Sequence, residues 1–297
     1  MNGVVNINKP KGFTSHDVVA KLRGILSTKK IGHTGTLDPD AVGVLPVCVG
    51  RATKIADMLT ATEKEYVAEV TLGSETDTQD SSGTVLNTSP VNVSKEDIIK
   101  TAEKFTGEIS QIPPMYSAIK QDGKKLYELA REGKEIERKP RIVEIKEIEI
   151  LKVDLEKNKF TMRVACSKGT YIRTLCHDIG RSLGCFAHMS YLQRTKSGRF
   201  TIEKAYTLEE IENAMGNNDL SFMEPIDKIF EEYPALYLSE RKADKMCNGV
   251  KVRTSGLIEG TVYRVYDEKQ NFLTITQAEE GALKILKTFY QITRAEE

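Results

Sequence analysis

Phe160-Thr161-Met162-Arg163-Val164-Ala165-Cys166-Ser167-Lys168-Gly169-Thr170-Tyr171-Ile172-Arg173 changes its period midway. As far as Ser167, apolar and polar residues alternate, which sets Phe160, Met162, Val164 and Cys166 on one face of a strand. Beyond the Ser167–Tyr171 turn, Ile172, Leu175, Ile179 and Leu183 recur at helical spacing. Working outward, a strand within Arg141–Val153 has an apolar phase that slips between Ile145 and Ile148, the mark of a bulge. Tyr66–Leu72 alternates with Tyr66, Ala68, Val70 and Leu72 together. A helix starts at Thr14-Ser15, with Ser15 as its cap and Val18, Val19, Leu22, Ile25 and Leu26 on its apolar face. Residues 29–54, rich in Gly and broken by Pro39 and Pro46, read as loop with one short strand, Val44–Val49. Ser74–Thr84 is a polar loop, and Ser94 with Asp97 forms a capping box before a helix carrying Ile98, Ile99, Ala102 and Phe105. Pro113-Pro114 breaks the chain before a mixed-charge excursion with a short helix near Lys125–Arg131. Thr207–Met215 is a helix ended by Gly216-Asn217-Asn218.

From Leu236 a compact tail follows. It has a helix (Ser239–Cys247), an Asn248-Gly249 turn, and two strands, Val262–Tyr266 and Phe272–Ile275, around a hairpin loop. With no repeat and no regular β-α alternation, the pattern predicts an α+β fold. Its sheet is mixed but mainly antiparallel, with flanking helices and a small β-rich C-terminal domain.

Of the 297 residues, 39% are hydrophobic and 29% charged, with only 9 Pro and 21 Gly, which excludes collagen-like, low-complexity and disordered classes. No apolar run reaches membrane-span length, and Met1–Pro10 lacks a signal-peptide stretch, so a soluble, cytoplasmic protein is expected. Five widely spaced cysteines without a CxxC argue for reduced, buried thiols rather than disulfides or structural zinc. The histidines (His16, His33, His177, His188) fit no common metal spacing, so no metal is expected.

Lys+Arg and Asp+Glu are equal at 43 each, yet the charge is unevenly spread. Residues 1–54 carry eight basic side chains against three acidic, and residues 161–204 carry eight against two. Two basic segments distant in sequence could form one phosphate-binding face, or be two solvated surfaces.

Two clusters could carry chemistry. Gly32-His33-Thr34-Gly35-Thr36-Leu37-Asp38-Pro39-Asp40 sets acid/base groups on a loop where glycines permit close approach, and Pro39 biases Asp38 to extended backbone. The same residues could form an ordinary Asx turn, and Asp38 with Asp40 alone does not define a magnesium site. In Ser167–Arg173, the planar fork of Arg173 could clamp a carboxylate, or it could be a surface or phosphate contact. Tyr66, alone, reads as a core aromatic.

Several blocks, in this order, resemble the TruB family of tRNA pseudouridine synthases. They are Asn8-Lys9-Pro10-Lys11-Gly12 with Thr14-Ser15, Gly32–Pro39, Gly43–Val47, Gly50–Lys54, Lys64-Glu65-Tyr66, Gly73–Asp80, Pro113–Ala118, Gly169–Arg173 and His188–Arg194. The resemblance spans most of residues 1–200; Asp40 and Lys120–Lys139 are idiosyncratic, and no catalytic position departs from the pattern.

The resemblance implies a pseudouridine synthase catalytic domain over residues 1–230, with a thumb-like insertion at about 111–141, and a PUA-like RNA-binding domain over 236–297. It implies isomerisation of uridine-55 in the T arm of tRNA to pseudouridine, with the base flipped out of the RNA. No cofactor, metal or obligatory protein partner is implied. Asp38 corresponds to the catalytic aspartate, Tyr66 to the catalytic tyrosine that stacks on the target base and is a candidate for handling the C5 proton, and Arg173 to the arginine pairing with the carboxylate. Tyr171 and Leu192 correspond to pocket-lining positions, His33 to the histidine entering the T loop, and Lys9 to a lysine near the pocket. Two other readings remain. A non-catalytic tRNA-binding or folding module would be favoured by replacement of Asp38, Tyr66 or Arg173, and a phosphoryl-transfer enzyme would need more carboxylates and a phosphate-cradling loop.

Overall fold

A computed structural model describes residues 1–121 and 123–290 of the chain. Its first sheet comprises β1 (Gly3–Lys9), β2 (Ile31–His33), β3 (Val42–Val49), β4 (Lys64–Leu72), β5 (Gly107–Gln111), β6 (Arg141–Asp154), β7 (Lys159–Cys166), β8 (Ala187–Ser197), β9 (Phe200–Thr201) and β10 (Met223–Glu224). The helices used below are α1 (Ser15–Ile25), α2 (Lys95–Glu103), α3 (Leu126–Arg131), α4 (Ile172–Ser182), α5 (Leu208–Gly216) and α6 (Glu240–Cys247). Strands run in the order β10-β1-β3-β8-β4-β7-β6-β5, with β2 on β3 and β9 on β8. All these pairs are antiparallel except β3 and β8, which meet in parallel through Val42–Gln193 and Gly43–Arg194.

The two ends of this sheet are buried differently. In β4 and β7 burial alternates, as the sequence pattern requires. Their apolar face packs with Leu175, Ile179 and Ile98 under α4 and α2. Their other face is wet, and there Arg163 joins Glu65, Glu147 and Glu149 at 2.8–3.1 Å. β1 and β3 are buried on both faces. Val5, Ile7, Leu45 and Val47 lie with residues of α1 and α5, while Val4, Val44 and Cys48 lie in another cluster with Ile275 and Phe289 of the tail. The tail is therefore docked on the first sheet, and Arg51 and Lys54 donate to the Phe289 and Thr288 carbonyls at 2.6 and 2.8 Å.

The mainly antiparallel α+β architecture is as expected, and the bulge in β6 lies between Ile145 and Glu147. β1, β5, β8, β9 and β10 have no counterpart in the sequence reading, and other local details differ. Thr14, not Ser15, caps α1, in a box with Asp17. Residues 29–54 hold two strands, because β2 is too short to carry an alternation signal. The Ser74–Thr84 loop begins with a strand, Ser74–Thr76, paired to Val85–Thr88. Among its described residues the tail has five strands, β11 (Ala235–Leu238), β12 (Val252–Arg253), β13 (Val262–Asp267), β14 (Phe272–Glu279) and β15 (Ala282–Thr288), in the order β11-β13-β14-β15-β12. Residues 291–297 of the expected C-terminal domain lie outside the described residues.

The edge of β3 facing away from β1 is shared. β8 pairs with Val42 and Gly43, and β2 with Val47–Val49. Between them, at Val44–Pro46, the ladder is open, and loop 34–41 and the buried side chain of Arg194 fill the opening. Gly43 is required at this junction. Its φ is +101°, and a Cβ there would stand 2.3 Å from the Arg194 carbonyl.

Candidate active site

Loop 34–41, which carries Asp38, is tied down at several points. Thr34 N donates to the Pro46 carbonyl at 3.1 Å and Gly12 N to Pro39 at 2.9 Å. The hydroxyl of Ser15, freed from capping, accepts from Leu37 N at 2.9 Å and donates to Leu37 O at 3.3 Å. Lys9 is fully buried, and its ammonium donates to the carbonyls of Pro39, Phe13 and Pro10 at 3.0, 2.5 and 3.0 Å. It thus stands beneath the loop as a brace. Burial pulls its pKa down to about 8, against the attraction of Asp38 and Asp40.

Arg173, in the first turn of α4, reaches Asp38 from the opposite side. Nε lies 2.9 Å from Oδ2 and Nη2 lies 3.2 Å from Oδ1, a bidentate pair. The other guanidinium protons go to the Thr78 carbonyl (Nη1, 3.1 Å) and the Tyr116 carbonyl (Nη2, 2.8 Å), and Asp80 Oδ2 is 3.6 Å from Nη1. The Arg173 side chain is 6% exposed and that of Asp38 38%, so the carboxylate opens outward while its partner is sealed in. Burial pushes the Asp38 carboxyl above the usual carboxylate range; Arg173 opposes this, and Asp80 adds to it.

The walls are apolar. Tyr66, Leu192, Leu37 and Ile172 belong to one buried cluster. Burial pushes the Tyr66 phenol up, while Arg194 pulls it down. Tyr171 is fixed through its backbone: its N–H donates to Gln111 Oε1 at 2.9 Å, and Gln111 Nε2 donates to its carbonyl at 3.0 Å. Burial also raises the Tyr171 phenol. His33 ends β2, half-buried, and desolvation with the nearby Arg194 charge lowers its pKa, favouring neutral imidazole. The structure joins Asp38 directly to Arg173, sets the Tyr66 and Tyr171 phenols within reach of the Asp38 charge, and packs Leu192 in the same apolar cluster as Tyr66, while His33 lies near Arg194 instead. Asp40 is exposed, and among the described residues no three His, Cys, Asp or Glu side chains gather as metal ligands.

Sequence reasoning gave no individual role to four contributors: Thr78 and Asp80, which hold Arg173; Gln111, which holds Tyr171; and Arg194. Arg194 is 1% exposed, donates to Val44 O at 2.7 Å and Gly35 O at 3.3 Å, and sits opposite Tyr66 in the β8–β4 ladder. It was visible only as one cation in a basic segment and as the last residue of the His188–Arg194 block, and nothing local marks it as buried.

Comparison with known proteins fits this geometry. Residues 23–172 match the TruB family pseudouridylate synthase N-terminal domain, 173–231 the tRNA pseudouridylate synthase B C-terminal domain, and 234–284 the pseudouridine synthase II TruB C-terminal model. The tRNA pseudouridine synthase B of Clostridium kluyveri is 46% identical over 293 residues, covering 97% of this chain and 100% of the relative. That of Bacillus cereus is 46% identical over 297 residues, covering 97% of each. A Cbf5-Nop10-Gar1 complex structure aligns with TM-score 0.72 and 30% identity over 97% of this chain and 85% of the matched one. An H/ACA RNP bound to a substrate RNA containing 2′-deoxyuridine aligns with TM-score 0.72 and 27% identity, over 98% and 86%. Fold and site together define an isomerase of the pseudouridine synthase class. The chain belongs to the TruB family of pseudouridylate synthases.

The electrostatics can be tested in the free protein. Carbon-13 NMR of the Asp38 carboxyl should give a midpoint above the ordinary 3.8, and Arg173→Met should move it further up. A midpoint below 3.8 would show that the ion pair, not burial, dominates.

Proposed function

We propose that this protein isomerises uridine-55 in the T arm of tRNA to pseudouridine. The observation that carries the reading is the Asp38–Arg173 pair, a carboxylate held by two hydrogen bonds and partly exposed while its partner is buried. It is supported by the similarity over nearly the full chain to enzymes named tRNA pseudouridine synthase B.

In this reaction the N1–C1′ bond breaks, the uracil turns, and C5 bonds to C1′. C5 then loses its proton and N1 gains one. Composition and oxidation state are unchanged, so no electron carrier is required. Attack of Asp38 on C1′, attack on C6, and removal of the 2′ proton all need an ionised, oriented carboxylate, and the Arg173 fork provides orientation and countercharge. A base inside a folded loop must leave its stack, at a cost of a few kcal/mol. Stacking on the Tyr66 ring and insertion of His33 into the vacated space would offset that cost. The Tyr66 oxygen is the candidate for handling the C5 proton, and Tyr171 and Leu192 would bound the base. Lys9 serves the pocket from below by bracing the Asp38 loop.

The catalytic domain spans residues 1–230. Its thumb-like segment, 111–141, touches the site through the Tyr116 carbonyl on Arg173 and would close over the T arm. The tail, 236–297, is the second RNA contact, on the acceptor side. There Arg241, Lys242, Lys245, Lys251 and Arg253 line a cavity of about 580 Å³ with Ser239 and Val252 and no carboxylate. Five cations on one concavity suit backbone phosphates. No helix of the described residues is long and apolar enough to cross a membrane. A tRNA substrate suits a cytoplasmic enzyme, and no obligatory protein partner is evident.

The test is incubation of refolded, unmodified tRNA transcript with purified protein in EDTA, followed by pseudouridine mapping. One pseudouridine at position 55 is expected. Asp38→Asn should produce none while binding tRNA within about tenfold of wild type, a difference of about 1.4 kcal/mol. Modification elsewhere, wild-type turnover by Asp38→Asn, or loss of activity in EDTA that zinc or magnesium restores would contradict the reading.

For the tail, Arg241→Glu with Lys245→Glu should weaken binding of full-length tRNA and lower its salt slope by about two. Binding of an isolated T-arm hairpin should be unchanged. Equal losses on both RNAs would remove the tail's separate role.

A further inference from the structure

Glu75 lies outside the pocket, yet its side chain is only 2% exposed and bound on both oxygens. Oε2 meets His177 Nε2 at 2.9 Å and Arg181 Nε at 3.0 Å, and Oε1 meets Asn87 Nδ2 at 2.7 Å and Arg181 Nη2 at 3.3 Å. Burial alone would push its carboxyl up, but Arg181, Asn87 and His177 outweigh it and hold the group ionised, below the usual range. Neither the sequence patterns nor the reaction chemistry uses this cluster, and a buried carboxylate with three partners is costly unless its geometry matters.

The neighbouring chain shows where it acts. Glu75 belongs to the first strand of the Ser74–Thr88 hairpin, whose turn contains Thr78, Gln79 and Asp80. Arg173, His177 and Arg181 are spaced four residues apart on α4, so they form one stripe on a single face. Arg181 and His177 hold Glu75 at the base of the hairpin. One turn earlier, Arg173 is held by the tip of the same hairpin, through the Thr78 carbonyl at 3.1 Å and Asp80 at 3.6 Å. Between these two residues Gln79 has φ +64°, a left-handed conformation that a non-glycine residue keeps only when its surroundings enforce it. Its Oε1 accepts from Thr174 Oγ1 of α4 at 2.8 Å. Thr76 and Thr78 each bond back to Asp80, at 2.7 Å. The tip is therefore stiff, and a shift of the hairpin base along α4 would be passed to the groups that aim Arg173.

We propose that Glu75, clamped by His177, Arg181 and Asn87, is a positioning residue for the isomerisation. It fixes the Ser74–Thr88 hairpin on α4 so that Thr78 and Asp80 hold the Arg173 fork square to Asp38. The proposal rests on the catalytic reading of the Asp38–Arg173 pair.

Three variants test it: Glu75→Gln, which keeps the shape; Glu75→Arg, which inverts the charge; and Glu75→Arg with Arg181→Glu, which restores a pair in reverse. Each is measured for single-turnover rate at saturating enzyme, tRNA affinity and the carbon-13 titration of Asp38. Glu75→Arg should slow the single-turnover step at least about tenfold, with affinity changed less than about threefold, as for residues coupled through one network. It should raise the Asp38 midpoint, and the reversed pair should recover most of both changes. Glu75→Gln should show the same changes in smaller measure, and it decides the matter should Glu75→Arg not fold. A normal rate in folded Glu75→Gln and Glu75→Arg would overturn the proposal, as would a slowed rate with an unmoved Asp38 midpoint or no recovery in the reversed pair. Full activity of Asp38→Asn would instead refute the underlying reading, and the Asp38 titration, which needs no turnover, keeps the two failures apart.

Discussion

The bidentate contact between Arg173 and Asp38 joins side chains 135 residues apart in sequence, and it has to be made in a place where neither charge is freely solvated. Removing one partner of such a pair costs about 3–5 kcal/mol, because the other is left buried and uncompensated. Most of the structure around the cleft answers that requirement. Loop 34–41 is held by Ser15, Lys9, Thr34 and Arg194 on one side, and the Arg173 fork is held by Thr78, Tyr116 and Asp80 on the other.

The sheet gives these two halves their separate footings. β3 and β8 meet in parallel for only two residue pairs, and the ladder then opens. That opening lets a loop and a buried arginine enter the middle of the sheet. On one side of it β1 and β3 are packed on both faces, which gives the Asp38 loop a rigid base. On the other, β4 and β7 cover α4 with one face only, and Tyr66 and Leu192 belong to the apolar layer between them. The site is thus built where the sheet changes from two-sided to one-sided burial.

Much of this was legible in the sequence. The strands β4 and β7 and the helix α4 follow from single-face periodicity, and the capping box at Ser94 is a local signal that the structure keeps. Asp38 stands in an unusual Gly-containing loop and Arg173 just after another, at the start of α4, so each could be named, but only the family resemblance paired them. What escaped was non-local. Ser15 looked like a helix cap, because a hydroxyl at a helix start usually is one; Thr14 caps instead, and Ser15 binds Leu37, 22 residues away. Arg194 and Glu75 drew no role of their own, since burial of a charge depends on partners that the local pattern does not contain. The short strands β2, β11 and β12 were missed because two to four residues carry no period; the longer β1, β8 and β15 were missed too, β1 because burial on both faces leaves no alternation and β8 because bulges at Met189/Tyr191 and Arg194/Lys196 break its phase.

The central claim is that Arg173 acts through the orientation of Asp38. Single-turnover rate at saturating enzyme, measured for Arg173→Lys beside tRNA affinity across a salt series, tests it most directly. Lysine keeps the charge but lacks the planar fork. The account predicts a rate loss of roughly two to four decades, with affinity and salt slope close to wild type. A normal single-turnover rate with a salt slope shallower by about one would make Arg173 a phosphate contact and contradict the account.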